Sequence, residues 1–310
     1  MKETDRIAIL IPCYNEAITV TKVVTDFKQV FPTASIYVYD NNSTDATARL
    51  ASDAGAIVVS EPHRGKGNVV RQMFIDIDAD YYVLVDGDDT YVASEALELL
   101  KLARTGKYDM VVGDRLRLAQ PGSLTTLHLF GNKLFVLVLN SLFRGHFRDI
   151  FSGYRVMNRS FVKQVPVVAR KFEVEAELTI QALERGYLVA EHAIQYKARP
   201  AGSVSKLHTF RDGTKILLTI FQILRDYRPI KFFILLALLF FIPGVITGSI
   251  VISEFFRTGL VLRLPTAVLA VGLVLVSVFV ALTGFVISTI NRRFSELEAA
   301  VQKNMAKIHK

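Results

Sequence analysis

Two stretches near the C-terminus constrain this chain more than any other feature: residues 232–253 and 264–290 contain no charged side chain. At about 1.5 Å per residue, helices of these lengths reach roughly 33 and 40 Å, enough to cross a hydrocarbon core of about 30 Å. Buried helices of soluble proteins are rarely so long and so uniformly apolar. Two membrane spans are therefore expected, at about 232–254 and 264–290. Arg225, Arg228 and Lys231 precede the first, and Arg292, Arg293, Lys303, Lys307 and Lys310 follow the second. The short connection between them carries Arg257 and Arg263 against Glu254. This excess of positive charge at the outer flanks puts both termini, and everything ahead of the spans, in the cytoplasm. Residues 1–6 are polar and lead into a strand-like run, so no signal peptide is expected there.

The remaining chain is long enough for one large or two modest domains. Its net charge of +8 is concentrated beside the apolar C-terminal part, and no DNA- or RNA-binding motif accompanies it. That pattern points to phosphorylated substrates or an anionic membrane surface, and away from nucleic acid. One cysteine, Cys13, excludes an intramolecular disulfide and fits a reducing compartment.

Residues 7–114 alternate strand-like and helix-like segments. Strands are read at 7–11, 35–40, 56–60, 81–85 and 110–113, with helices at 17–31, 45–54, 66–78 and 94–104. Such βαβ alternation predicts an α/β domain with a mostly parallel sheet covered by helices. No G-x-G-x-x-G follows the first strand, which argues against a dinucleotide site.

The run at 81–85 ends in three carboxylates, Asp86, Asp88 and Asp89, with Gly87 allowing the backbone to turn. Carboxyl ends of parallel strands are where open α/β sheets bind ligands. Carboxylates this close repel unless a hard divalent cation holds them, and Mg²⁺ or Mn²⁺ suits such oxygens with substrate phosphates completing the shell. The structural alternative is an acidic turn capping the next helix through Ser94. Other strand ends are polar as well: Pro12-Cys-Tyr-Asn-Glu16, Asp40-Asn-Asn-Ser-Thr-Asp45 and His63-Arg-Gly-Lys-Gly-Asn68. Ser43 and Asp45 read individually as helix N-caps, and Gly65 and Gly67 as turn glycines. Four polar strand ends on one sheet make a nucleotide site the stronger reading, with the Arg64 to Gly67 turn cradling phosphate.

These ordered segments, with Asp86-Gly-Asp88, resemble the signatures of family 2 glycosyltransferases of the GT-A fold. Within that family the chain is similar to the dolichyl-phosphate mannose synthase branch and its bacterial polyisoprenyl-phosphate glycosyltransferase relatives, over about residues 5–230. The resemblance implies a nucleotide diphosphate sugar donor held by Pro12, Tyr14, Glu16, Asp40, Lys66, Asp86 and Arg199, with Asp86 and Asp88 serving the metal. Asp89 is the candidate for a further metal oxygen, in place of the one the family's pattern supplies at position 90. It continues through Gly113-Asp-Arg115 and Arg148-Asp-Ile-Phe-Ser-Gly153, and implies that Arg115, Arg148 and Ser152 hold an acceptor phosphate. Arg199-Pro-Ala-Gly-Ser-Val-Ser-Lys206 matches a basic loop that closes on the diphosphate. Asp88, Arg115, Arg148 and Lys206 are thus the expected catalytic set. Two departures stand out: Thr90 occupies the place of a Gln, and Tyr154 the place where some relatives carry Asp.

The expected organisation is a catalytic domain at 1–204, an amphipathic juxtamembrane segment at 205–230, and a two-helix membrane domain at 231–310 with a cytoplasmic tail. The leucine- and phenylalanine-rich run 124–147 has two readings, a core helix or a helix lying on the membrane under the active site. Glu173, Glu175 and Glu177 open a further helix, where the helix dipole alone favours acidic residues; a hidden catalytic base among them is the competing reading. The implied reaction is inverting transfer of one sugar, from a UDP-hexose or UDP-N-acetylhexosamine, or else GDP-mannose, to an undecaprenyl or dolichyl phosphate, as in cell envelope glycan synthesis. The sequence leaves the oligomeric state open, and likeness to related membrane enzymes is compatible with a homo-oligomer. A processive polysaccharide synthase resembles the chain at the donor site, but its Gln-x-x-Arg-Trp acceptor motif requires a Trp, and this chain has none. A non-catalytic membrane scaffold would have no need of Asp86, Asp88, Arg115, Arg148 and Lys206 together.

Overall fold

The computed structural model describes residues 5–119, 126–143, 145–168, 174–200, 202, 221–222 and 224–308. The chain divides into two compact units, Met1–Ile216 and Leu217–Lys310.

The first unit is an α/β sandwich. In chain order its elements are β1 (Ile7–Cys13), α1 (Val20–Val30), β2 (Ser35–Asp40), α2 (Thr47–Asp53), β3 (Ile57–Ser60), α3 (Lys66–Asp76), β4 (Tyr81–Leu84) and α4 (Glu95–Ala103). There follow β5 (Met110–Ala119), α5 (Thr126–Phe143), β6 (Arg155–Asn158), α6 (Arg159–Gln164), α7 (Val174–Glu184) and β7 (Val189–Tyr196). The strand order is β3-β2-β1-β4-β6-β5-β7. β1 to β4 are mutually parallel where they pair, β6 runs antiparallel to both β4 and β5, and β7 is parallel to β5. The expected mostly parallel sheet is therefore present, with one reversed strand in its middle.

Alternation along β1 builds the two cores. Ile9, Ile11 and Cys13 face one side and pack with Val20, Val24 and Phe27 of α1 and Leu99 of α4. Ala8 and Leu10 face the other, against Val69, Val70 and Met73 of α3 and Leu178 of α7. Successive side chains of a strand point to opposite faces, so a central strand covered on both sides reads as a continuous apolar run.

The observed helices start or end one to three residues inside the expected limits, as fraying ends do. The larger differences lie after β4. β5 continues well past Gly113, and β6, α6 and β7 were not anticipated. β6 is four residues long and starts with a charged residue, and Asn158 ends it by accepting the amide of Phe161 as the N-cap of α6 at 2.8 Å.

α5 supports the core reading on one face. Gly131, Asn132, Phe135 and Leu139 are buried, Phe135 meeting the Phe151 ring edge-on at 5.0 Å, whereas Leu137 on the opposite side is exposed.

The second unit contains α8 (Pro229–Thr258) and α9 (Leu264–Ile308), two helices long and apolar enough to cross a membrane over Pro229–Thr258 and Leu264–Phe294. Gly259, at φ 71°, ends α8 with the left-handed conformation that glycine adopts freely. The helices approach closely through small residues: a Cβ on Gly244 would lie 3.0 Å from Val274 Cγ2, and one on Gly248 3.6 Å from Ala270 Cβ. Most of the expected juxtamembrane segment 205–230 lies outside the described residues; 221–222 and 224–227 are helical.

Candidate active site

Because β1 to β4 are parallel, their carboxyl ends share one edge of the sheet, and the loops there are hydrogen-bonded to one another. The Asn15 amide donates to Ser43 Oγ at 2.9 Å, the Glu16 amide to Thr47 Oγ1 at 2.8 Å and the Ala17 amide to Asp45 Oδ2 at 3.1 Å. Ser43 and Asp45 thus fasten the first loop to the second. Asp40 is buried at the end of β2; its Oδ2 accepts the Ser43 amide at 3.1 Å, while Oδ1 is a buried acceptor with no partner among the described residues. A buried carboxylate oxygen in that state is suited to a ligand N–H or O–H.

Asn41, beside it, was not singled out in the sequence, yet it shapes the loop that delivers Lys66. Its side chain donates to the carbonyls of Glu61 and His63 at 3.0 and 2.8 Å and accepts the Gly65 amide at 2.7 Å. Gly65 adopts φ 127°, outside the range of ordinary L-residues. The neighbouring Arg64 guanidinium covers the Tyr14 ring, 5.2 Å from its centroid.

The centre is an ion cluster at the end of β4. The ammonium of Lys66, at the first position of α3, contacts both Asp86 and Glu175, the latter from the first turn of α7. Burial pulls the Lys66 pKa down, but the two carboxylates outweigh it and hold the ammonium firmly protonated. Asp88 Oδ2 meets Arg199 Nη2 at 2.5 Å, and Oδ1 accepts from Thr90 Oγ1 at 2.6 Å. Burial and the neighbouring Asp86 charge push the Asp88 carboxyl up, against the opposing pull of Arg199 and Thr90. Gly153 closes one side: a Cβ there would stand 2.6 Å from Asp86 Oδ2, so a glycine is required for this approach. The Gly153 amide donates to the Tyr91 hydroxyl at 3.0 Å.

Three carboxylates (Asp86, Asp88 and Glu175) here meet two cations (Lys66 and Arg199), and the charges of Asp86 and Asp88 are near enough to repel. That set fits Mg²⁺ or Mn²⁺ bound by Asp86 and Asp88, with substrate oxygens supplying the rest of the shell. The third residue expected at the metal, Asp89, is engaged elsewhere in this structure. Asp89 takes φ 56°, which turns its carboxylate to Lys22 of α1 at 2.8 Å. Among the described residues no group of three or more His, Cys, Asp or Glu side chains is arranged to hold a metal ion.

The expected acceptor-phosphate residues are only partly brought together. Arg115 is gripped bidentately by the wholly buried Asp149, Nε to Oδ2 at 2.7 Å and Nη2 to Oδ1 at 2.8 Å, and its guanidinium lies 5.4 Å from the Tyr196 ring centroid. Burial lowers its pKa, and the Asp149 charge more than restores it. It forms a matched ion pair with Asp149, a partner that was not recognised in the sequence. Ser152 is fully buried: its Oγ accepts the Tyr154 amide at 3.3 Å and its carbonyl accepts from Arg155. The Arg148 side chain is exposed, while its amide donates to Glu191 of β7 at 2.9 Å. Pro12 pairs with Tyr39 between β1 and β2, and Glu16 is buried just beyond. Tyr154 donates its hydroxyl to the carbonyls of Val92 and Ala93, at 3.1 and 3.2 Å, and so faces the start of α4. Lys206 and Glu173 lie outside the described residues.

Residues 8–165 match the family described as Glycosyl transferase family 2. A glycosyltransferase of Haloferax volcanii, AglJ, is 36% identical over 234 residues, 75% of this chain and 77% of the relative. A dolichyl-phosphate hexose transferase of the same organism is 29% identical over 224 residues, 72% of this chain and 96% of the relative. Among solved structures, glucosyl-3-phosphoglycerate synthase from Mycobacterium tuberculosis in complex with Mn²⁺, UDP and glucosyl-3-phosphoglycerate superposes with a TM-score of 0.59. It is 22% identical and covers 72% of this chain and 80% of that one, a likeness of fold.

Proposed function

The chain belongs to glycosyl transferase family 2, with the GT-A fold, and on that premise we propose that it moves one sugar from a nucleotide diphosphate sugar to a polyisoprenyl phosphate at the cytoplasmic face of a membrane. The observation that carries the reading is the Asp86–Lys66–Glu175 and Asp88–Arg199 cluster at the carboxyl end of β4, in a chain that also has two long apolar helices. A soluble, charged donor and a lipid acceptor account for both. The relative named dolichyl-phosphate hexose transferase supports the acceptor class. The UDP and Mn²⁺ named with the fold neighbour support a UDP-sugar and a divalent cation.

In this reading Asp40, with its open Oδ1, Tyr14 and Glu16 receive the nucleoside. Lys66 and Arg199 turn from the carboxylates to the diphosphate, and Lys206 joins them there. When bound, a divalent cation held by Asp86 and Asp88 neutralises charge on the departing diphosphate. An oxygen of the acceptor phosphate bonds to the anomeric carbon as the bond from that carbon to the diphosphate breaks, and the electron pair leaves with the nucleoside diphosphate. Attack opposite the leaving group inverts the configuration. A phosphate monoester has a second pKa of about 6, so near neutrality the nucleophile is already anionic and no residue must remove a proton. Arg148 and the Asp149-braced Arg115 position it, a contribution made by preorganised charge.

The test uses the full-length protein in lipid nanodiscs with undecaprenyl phosphate and a panel of radiolabelled UDP-hexoses, UDP-N-acetylhexosamines and GDP-mannose. One donor is expected to move label into the organic phase. Chelator, and separately Asp88→Asn, should lower the rate by about 10³-fold, the scale of several kcal/mol supplied by metal and charge. Arg148→Ala should impair lipid use far more than hydrolysis of the donor. No organic-soluble product with any donor would overturn the reading, and full activity in chelator would remove the metal from it.

A further inference from the structure

Arg155, at the start of β6, is fully buried, the bulkiest wholly buried side chain among the described residues. A guanidinium in that position is ordinarily matched by a carboxylate, because burying an unpaired charge is costly. Here it donates to neutral groups: Nε to the Ser152 carbonyl at 2.9 Å, Nη2 to the Ile150 carbonyl at 2.7 Å, and Nη1 to Thr179 Oγ1 at 2.9 Å and Met110 Sδ at 3.4 Å. Burial lowers its pKa to about 10, against the more distant attraction of Glu175, Asp149 and Tyr91. An apolar side chain would fill the same space between sheet and α7 at less cost. What the guanidinium adds is geometry.

Its first arm holds the loop before β6. Ile150 and Ser152 give it their carbonyls, while Glu191 takes the Arg148 and Asp149 amides, Arg115 takes the Asp149 carboxylate, and Tyr91 takes the Gly153 amide. That loop ends at Gly153, against Asp86. Its second arm reaches α7. Thr179, which accepts from Arg155, donates to the Glu175 carbonyl at 3.2 Å, and the Glu175 carboxylate meets Lys66. Arg155 therefore braces both walls of the Asp86–Lys66 contact without bonding to either residue.

We propose that Arg155 is a positioning residue for sugar transfer: its guanidinium holds the loop at 150–153 and the first turns of α7 together, so that Gly153 and Glu175 fix Asp86 and Lys66 at the donor diphosphate. The proposal rests on the transfer reading above. Displacing such groups by about 1 Å is enough to cost on the order of 10²-fold in rate.

Full-length Arg155→Met, Arg155→Lys and Thr179→Val are compared with wild type for kcat, both KM values, Tm and calorimetric UDP affinity between pH 6 and 9. Arg155→Met should lower kcat about 10²-fold per folded molecule and weaken UDP binding about tenfold; Thr179→Val should lower kcat less. Arg155→Lys should recover part of the rate at pH 6 and lose it towards pH 9. A buried lysine, facing Glu175 of α7, Asp149 of the loop, Tyr91 and the repelling Arg115, gives up its proton below the usual value of about 10.4. Arginine at this position stays mostly charged up to pH 9, so the corresponding wild-type term is nearly flat. Lowered Tm with unchanged kcat and UDP affinity in the folded variants would overturn the proposal. If Arg155→Met fails to fold, wild-type kcat and UDP affinity in Thr179→Val, with a pH-flat Arg155→Lys, overturns it equally. UDP affinity needs no acceptor, so it decides the positioning role even where wild type transfers nothing, a result that would overturn only the transfer reading.

Discussion

Single residues at this site are chosen for how closely charges are allowed to approach. Gly153 is the clearest case, since any Cβ would press on the Asp86 carboxylate from 2.6 Å to Oδ2 and 3.0 Å to Cγ. Gly153→Ala should keep the fold and lose about 10²-fold in turnover, because the carboxylate must move; wild-type rates in a folded variant would disprove the contact's importance. Glu191 illustrates the cost of partly burying a charge. Burial raises its carboxyl pKa, the amides of Asp149 and Arg148 oppose that shift, and Asp114 and Asp149 add repulsion. An unfolded glutamate ionises at about 4.3, and the folded one keeps its proton to higher pH. Between those values the unfolded state binds fewer protons, so stability falls as pH rises through the window. Glu191→Gln retains an acceptor for both amides without the charge. Its Tm should exceed wild type by about 2 °C at pH 8, with the margin shrinking towards pH 5. A deficit of equal size at both pH values would contradict this account. The motif residues Asp86, Asp88 and Lys66 were legible in the sequence because they follow strands at fixed offsets. Asp149, Arg155 and the partnering of Glu175 were not, because nothing local marks which distant group each will meet.

At the scale of elements, β1 to β4 and their helices were readable because each carries its own period and its own turn residues. β6 was not, being short and led by an arginine whose burial depends on α7 and on the loop before it. β7 escaped for a similar reason: Glu191 and His192 interrupt its apolar pattern, and its pairing with β5 supplies the missing definition. In the second unit, α8 and α9 were expected from length and apolarity alone, but their mutual fit depends on glycine. Gly244 lies against Leu273 and Val274 of α9, 3.2 Å from the Val274 backbone nitrogen when given a Cβ. Small residues permit such close helix packing in an apolar surround. Gly244→Leu should cost about 1–3 kcal/mol of helix–helix stability through overpacking. Denaturation of the detergent-solubilised protein followed by a fluorophore pair on α8 and α9 measures it, and an unchanged midpoint would rule out this packing role.

For the whole molecule, the reading of a cytoplasmic catalytic unit with two spans has a direct test. Cys13 is the only cysteine and is buried, so the native chain gives little background for thiol labelling. Leu260→Cys, in the exposed turn between α8 and α9, should react with an impermeant maleimide added to intact cells. Arg293→Cys, beyond the uncharged run 264–290 of α9, should react only after permeabilisation. Labelling of both from outside, or the reverse pattern, would refute the proposed orientation.

The amino-acid sequence by itself determined the family, the parallel half of the sheet and the two apolar helices. The sheet and the helices rest on local signals, namely side-chain periodicity, turn residues at strand ends and uninterrupted hydrophobic length, and the family on the likeness of the strand-end motifs to those of known members. Only the tertiary structure decided how the charges are shared. Lys66 meets Glu175 across 109 positions, Arg115 meets Asp149 across 34, and Asp89 turns to Lys22 across 67. The first two partnerships follow from inserting β6, reversed, between β4 and β5, which brings the loop at 148–153 and the start of α7 to the edge where β4 ends; the third follows from β1 and β4 lying side by side, which brings α1 beside the turn after β4. A charge finds its partner through the geometry of the finished sheet, and neighbouring residues in the chain carry no record of it.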